Sequence, residues 1–196
     1  AGVSASVVDG LVDDDVLETV VLPPEPAAET PDPEHARPEL SPAQREAADE
    51  LVAAVEARAF KVHLLDGVTG SGKTEAYFEA VSAAIRAGRQ TLILMPEIAL
   101  TQAFLDRFAR RFGVRPAQWH SAVGAQRRGR TFRGVANGEV SVVAGARSAL
   151  FLPFTDLGLV IVDEEHDPAY KQEDGVHYHA RDMAVVRARL NACPVV

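Results

Sequence analysis

The sequence predicts an α/β fold: a parallel sheet with helices on both faces, preceded by an extended linker. Three observations predict it. Residues 91–95 (Thr-Leu-Ile-Leu-Met), 141–144 (Ser-Val-Val-Ala) and 157–162 (Leu-Gly-Leu-Val-Ile-Val) are continuous apolar runs, the pattern of strands buried on both faces. They alternate with segments whose apolar residues recur at helical spacing. A further short run, Val62, Leu64 and Leu65, leads into Gly67-Val68-Thr69-Gly70-Ser71-Gly72-Lys73-Thr74, which fits G-x-x-x-x-G-K-[ST] at every position. Strand, glycine loop and helix is the context in which that spacing binds phosphate.

Composition sets outer limits. The chain has 196 residues, 47% of them apolar and 24% charged, enough for one sizeable domain. No run approaches the ~20 apolar residues of a membrane span, and no basic-then-apolar leader opens the chain. Cys193 is the only cysteine, which excludes disulfides and cysteine-rich zinc sites within this chain and points to a reducing cytoplasm. The net charge of −8 conceals an asymmetry. Residues 1–40 hold ten acidic residues and one basic residue, Arg37, whereas residues 41–196 hold 18 acidic and 19 basic residues. The body is near neutral and has room for a local basic face.

Taken in order, residues 1–22 read as the end of a preceding domain, with Asp9-Gly10 between apolar pairs predicting a hairpin turn. Residues 23–39, with six prolines among acidic and small residues, form the linker. Residues 40–196 are the main domain. Ser41-Pro42 starts a helix, with Leu51, Val52, Val55 and Ala59 as its apolar stripe and Gln44 in its first turn. After the glycine loop, Tyr77, Phe78, Val81 and Ile85 mark a helix that Gly88 caps. Phe104, Leu105, Phe108 and Phe112 mark the next one. Residues 114–119 form a short strand weakened by Pro116, residues 180–190 a helix, and residues 194–196 the start of another strand.

The chemistry follows from two stretches. In the glycine loop, backbone N–H groups turn toward one point, and the following helix adds its positive dipole end. Lys73 reaches the β- and γ-phosphates and the Thr74 hydroxyl ligates Mg²⁺. The bland alternative is a strand-to-helix turn without a ligand. The second stretch is Asp163-Glu164-Glu165-His166, delivered by the buried run before it. Opposite a phosphate loop, Asp163 holds Mg²⁺ and Glu164 orients and deprotonates water. His166 is a candidate relay. Its alternative is a solvated histidine, as a solvated surface glutamine is for Gln44.

These motifs resemble the first motor lobe of a superfamily-2 helicase, a RecA-like P-loop NTPase. The match narrows with GVTGSGKTE from Gly67, MPEIALT from Met95, WHS from Trp119, GARSALFLP from Gly145, DEEHDPAYKQ from Asp163 and YHARD from Tyr178. In this order they are similar to the primosomal replication-restart helicases, over roughly residues 40–196. The first forty residues resemble the end of that family's winged-helix domain and its linker. The resemblance implies an ATP-driven 3′–5′ DNA helicase acting on forked and single-stranded DNA at stalled forks. It also implies primosome proteins and single-stranded-DNA-binding protein as partners, and a zinc site in full-length members that this chain does not supply.

By position, Gly67 to Thr74 bind nucleotide, Lys73, Asp163 and Glu164 serve catalysis, and Gln44 matches a glutamine that reads adenine. Arg147, Ser148, His166, Tyr170, Lys171, Tyr178 and Arg181 fall in segments that couple DNA to hydrolysis. For Tyr170 and Tyr178 the bland alternative is core packing. Ala99 and Ala146 depart from the family pattern, which has glycine and threonine there. From Arg107 to Arg133 run eight arginines, either a DNA track or a solvated helical face. The resemblance further implies a second lobe beyond residue 196, so that this chain alone hydrolyses ATP weakly or not at all. An alternative of a different class is a non-catalytic fork-binding scaffold that recruits a helicase loader.

Overall fold

The computed structural model describes residues 4–20, 26–68 and 70–196. Its centre is a parallel sheet of four strands, β1 (Gln90–Leu94), β2 (Ala117–Trp119), β3 (Val142–Gly145) and β4 (Leu157–Val162), in the order β2-β3-β1-β4. Around it lie α2 (Pro42–Glu56), α3 (Lys73–Arg86), α4 (Gln102–Phe112), α5 (Ala125–Ala136) and α6 (Ala180–Leu190), with α1 (Ala5–Asp13) near the N-terminus. A two-stranded antiparallel hairpin, β5 (Lys171–Gln172) and β6 (Tyr178–His179), follows the sheet.

The continuous apolar runs are explained by burial on two sides. Ile93, Val142, Ala144, Leu159 and Ile161 join a core with Leu51 and Val55 of α2 and the aromatic faces of α3 and α4. Leu92, Leu94, Val143 and Val160, one residue out of phase, join a second core with Val135 of α5 and Ala180, Ala184 and Ala188 of α6. In the first core Phe78 meets Phe108 and Phe112 edge-on, with centroids 5.5 and 5.4 Å apart.

Helix ends follow the sequence signals. Ser41 Oγ accepts from Gln44 N, and Gln44 Oε1 accepts from Ser41 N in return. Thr101 caps α4 through Phe104 N. Residues 26–39 form no helix or strand, with a turn at 33–35, and they are fastened to the body, while Pro23 and Pro24 lie outside the described residues. Asp32 N donates to Phe112 O at 2.9 Å, and buried Arg111 donates to Pro33 O at 2.8 Å while pairing with Glu79 at 3.0 Å.

Three expectations fail. Asp9-Gly10 is not a hairpin turn but lies inside α1. An isolated hairpin is marginal in water, and with no strand beside it among the described residues, helical bonds satisfy the amides locally. The run before the glycine loop is not a buried strand. Val62 makes one parallel bridge, to Val195, which in turn bridges Val160. Leu64 is 81% exposed. Only Val195 is presented to this run, so pairing stops after the bonds from His63 N to Val195 O and from Val195 N to Lys61 O. Finally, α2 ends at Glu56 and leaves Ala59 exposed, because Arg58 turns into the left-handed region at φ 49°.

Candidate functional site

The phosphate loop and the acidic stretch meet at the carboxyl ends of the parallel strands, where ligands bind in open α/β sheets. Gly70 and Gly72 have φ of 81° and 86°, in the left-handed region that glycine enters without strain. Gly72 is also closely approached: a Cβ there would stand 2.2 Å from Gln44 Nε2. Gln44 is neither solvated nor idle, since its Nε2 donates to Ser71 O at 2.7 Å. One side chain thus closes the α2 capping box and braces the loop. Gly72 caps α3, so Lys73 and Thr74 open the helix and add its N-terminal field to the site. Lys73 Nζ bends back to the carbonyls of Gly67 and Val68, where a phosphate can displace it. Thr69 lies outside the described residues.

Across the loop stands Asp163, immediately after β4. Its amide donates to Leu94 O at 2.9 Å, which ties it to the end of β1. Its carboxylate accepts from Tyr77 Oη at 3.0 Å and from Glu164 N at 3.1 Å. Burial holds the Asp163 carboxyl above the usual carboxylate range, although the Tyr77 hydrogen bond opposes that. Its hydrogen-bond donors, a phenol and an amide, are both neutral. Thr74 and Asp163 are the oxygen-bearing side chains here that could hold a hard cation such as Mg²⁺, which takes oxygen ligands and keeps several waters. Glu164 is exposed with φ 52°, an unusual conformation for a side chain of its size, and its Oε2 lies 3.6 Å from His166 Nε2. A cavity of about 680 Å³ joins Lys73, Asp163, Glu164 and His166 along an apolar wall that includes Leu65 and Val185.

A second cavity, about 330 Å³, is lined by Pro96, Ile98, Arg147, Ser148, Gln172 and Tyr178 among others. Arg147 donates to the Lys171 carbonyl and so holds the hairpin against the sheet. Trp119 Nε1 donates to Ser148 Oγ at 3.1 Å, and Tyr178 meets Phe151 edge-on at 5.5 Å. Tyr170 is 1% exposed, so it cannot stack on a base. Its hydroxyl donates to Leu94 O at 3.0 Å and Asp163 O at 2.5 Å, linking the residue just before the hairpin to the acidic stretch. Lys171 is exposed and pairs with Glu173 at 2.6 Å. Arg181 and His166 line the larger cavity instead, with Arg181 paired to Glu165 at 2.8 Å.

The structure thus brings Lys73, Asp163, Glu164 and His166 around one cavity and Arg147, Ser148 and Tyr178 around another. Sequence reasoning missed Gln172, Glu97 and Tyr77. For Tyr77 a signal existed: it follows Thr74 by three residues, which puts both on one face of α3.

A phosphate loop and a strand-end acidic pair on a parallel sheet define a nucleotide-dependent motor lobe, and the chain belongs to the DEAD/DEAH box helicase family, whose sequence model matches residues 41–193. Among curated relatives it is similar to the replication restart protein PriA of Rickettsia felis, 49% identical over 69% of this chain and 21% of the relative. It also matches the PriA of Chlamydia pneumoniae, 46% identical over 81% of this chain and 21% of the relative. For the PriA of Bacillus subtilis the figures are 42%, 80% and 20%. The chain spans about a fifth of the length of these relatives.

Proposed function

We propose that this chain is the ATP-binding lobe of a 3′–5′ DNA helicase that acts in replication restart at stalled forks. The observation that carries the reading is the meeting of Lys73 with Asp163 and Glu164 across one cavity at the strand ends, with Thr74 next to Lys73 at the start of α3. Lys73 moves from the loop carbonyls to the β- and γ-phosphates. Gln44, Gly67, Val68, Thr69, Gly70, Ser71 and Gly72 shape the loop that receives them, and Gln44 has one amide hydrogen and one lone pair left for the adenine edge. Thr74 and Asp163 would hold Mg²⁺, which would supply positive charge beside the phosphates. Glu164 orients the attacking water and takes its proton.

Arg147, Ser148 and Tyr178 take single-stranded DNA in the second cavity, with Lys171 meeting phosphate and Tyr178 offering a face for base stacking. His166 and Arg181 serve the nucleotide side, and Tyr170 joins the two sides. Residues 1–22 end a preceding domain, residues 23–39 are its linker and residues 40–196 are the motor lobe. Primosome proteins and single-stranded-DNA-binding protein are the partners, the cytoplasm is the compartment, and zinc belongs to other parts of the full-length protein. No described helix is long and apolar enough to cross a membrane. The test is strand displacement from a forked duplex by the full-length protein. ATP-dependent displacement that fails in Lys73→Ala supports the reading. Fork binding without displacement, unaltered by Lys73→Ala, favours a scaffold.

A further inference from the structure

Tyr77 has no part in the roles assigned above, and core packing explains its ring but not its hydroxyl. It is 2% exposed, and its ring packs edge-on against Phe78 at 5.3 Å. That packing asks only for a phenyl ring. A buried phenol is tolerated when its hydroxyl finds a partner. Here the hydroxyl donates to Asp163 Oδ2 at 3.0 Å, and Thr74 stands three residues earlier on the same face of α3. One phenol therefore bonds the side chain of one residue assigned to the divalent cation, at the end of β4, and lies on the helix face that carries the other. The other Asp163 oxygen is occupied by the amide of Glu164, so both carboxylate oxygens have a fixed neutral donor.

We propose that Tyr77 is a positioning residue that sets the Asp163 carboxylate and the Thr74 hydroxyl relative to each other, so that the pair is preorganised for a hard divalent cation. The proposal rests on the nucleotide-site reading. Mg²⁺ demands near-ideal octahedral geometry. Freeing the carboxylate to rotate therefore weakens cation binding without touching the glycine loop that holds the phosphates. Outer partners of metal ligands typically change metal affinity by about 10–100-fold when removed.

The experiment uses the full-length protein and its Tyr77→Phe variant, which keeps the ring contacts. Binding of a fluorescent methylanthraniloyl-ADP is titrated with Mg²⁺ and, separately, measured in EDTA, at a temperature where melting curves show both proteins folded. The expected result is a Mg²⁺ requirement raised about 10-fold or more in the variant, with affinity in EDTA equal to wild type. An unchanged Mg²⁺ requirement overturns the proposal and leaves the nucleotide site standing. Equal loss of affinity with and without Mg²⁺ also overturns it, because the phenol then acts on the fold of the loop. If wild type itself shows no Mg²⁺-dependent binding, the nucleotide-site reading falls and the proposal with it.

Discussion

The two cavities, one lined by Asp163 and the other by Arg147 and Tyr178, are held in different ways. On the nucleotide side, the fixing contacts are neutral hydrogen bonds between buried or half-buried groups, Gln44 to Ser71 and Tyr77 to Asp163, and Tyr170, bonded to both Leu94 and Asp163, ties that side to the other. On the hairpin side, charged groups at the surface do the holding: Lys171 with Glu173 and Arg147 with a carbonyl. Buried neutral bonds are costly to break because the partner is left without water. Exposed ion pairs are worth little and weaken with salt. The nucleotide side is thus built to keep its geometry, while the hairpin side can exchange its protein partners for phosphates.

Substitutions sharpen or break this contrast. The largest effect falls on Lys73→Ala, which removes the one cation among the described loop residues. Nucleotide affinity should drop by about 100-fold or more, measured by fluorescent nucleotide binding, with little change in melting temperature. Next comes Tyr170→Phe. It removes a donor shared by Leu94 O and Asp163 O, so urea unfolding should show a loss of about 1–3 kcal/mol. Arg147→Ala should act on DNA instead, lowering the slope of log affinity against log salt by about 0.7–0.9 for one lost phosphate contact. Its stability should stay within about 0.5 kcal/mol of wild type, and Lys171→Ala should show the smallest stability change of all. A neutral Tyr170→Phe beside an Arg147→Ala that unfolds the lobe would reverse the comparison.

What was legible in the sequence follows the same division. The sheet, α3, α4 and the phosphate loop were readable because each rests on local spacing: continuous apolar runs, helical periodicity and glycines at set positions. Partners distant in sequence were not. Eight arginines between Arg107 and Arg133 left two readings open, and the structure gives three of them a role that neither reading held. Arg107, Arg111 and Arg115 in and just after α4 pair with Glu75, Glu79 and Asp106, so they serve the fold. Arg127, Arg128 and Arg133 of α5 are exposed. No spacing rule could show that Glu75 and Glu79 on α3 would face α4. Likewise, Tyr170 looked like a base-stacking residue because its neighbours in sequence resemble a DNA-coupling segment. Its burial against Leu94, 76 residues away, removes that role and supplies another. The strand expected at Val62 failed because strand character depends on the neighbour as much as on the run itself.

The most direct test of the central claim is steady-state ATP hydrolysis by the full-length protein, with and without forked DNA, beside Glu164→Gln. Turnover that rises with DNA and is abolished in Glu164→Gln, with nucleotide binding retained, is the predicted result. Absence of turnover in the wild type, with forked DNA still bound, would contradict the account and leave the cavity as a structural or regulatory nucleotide site.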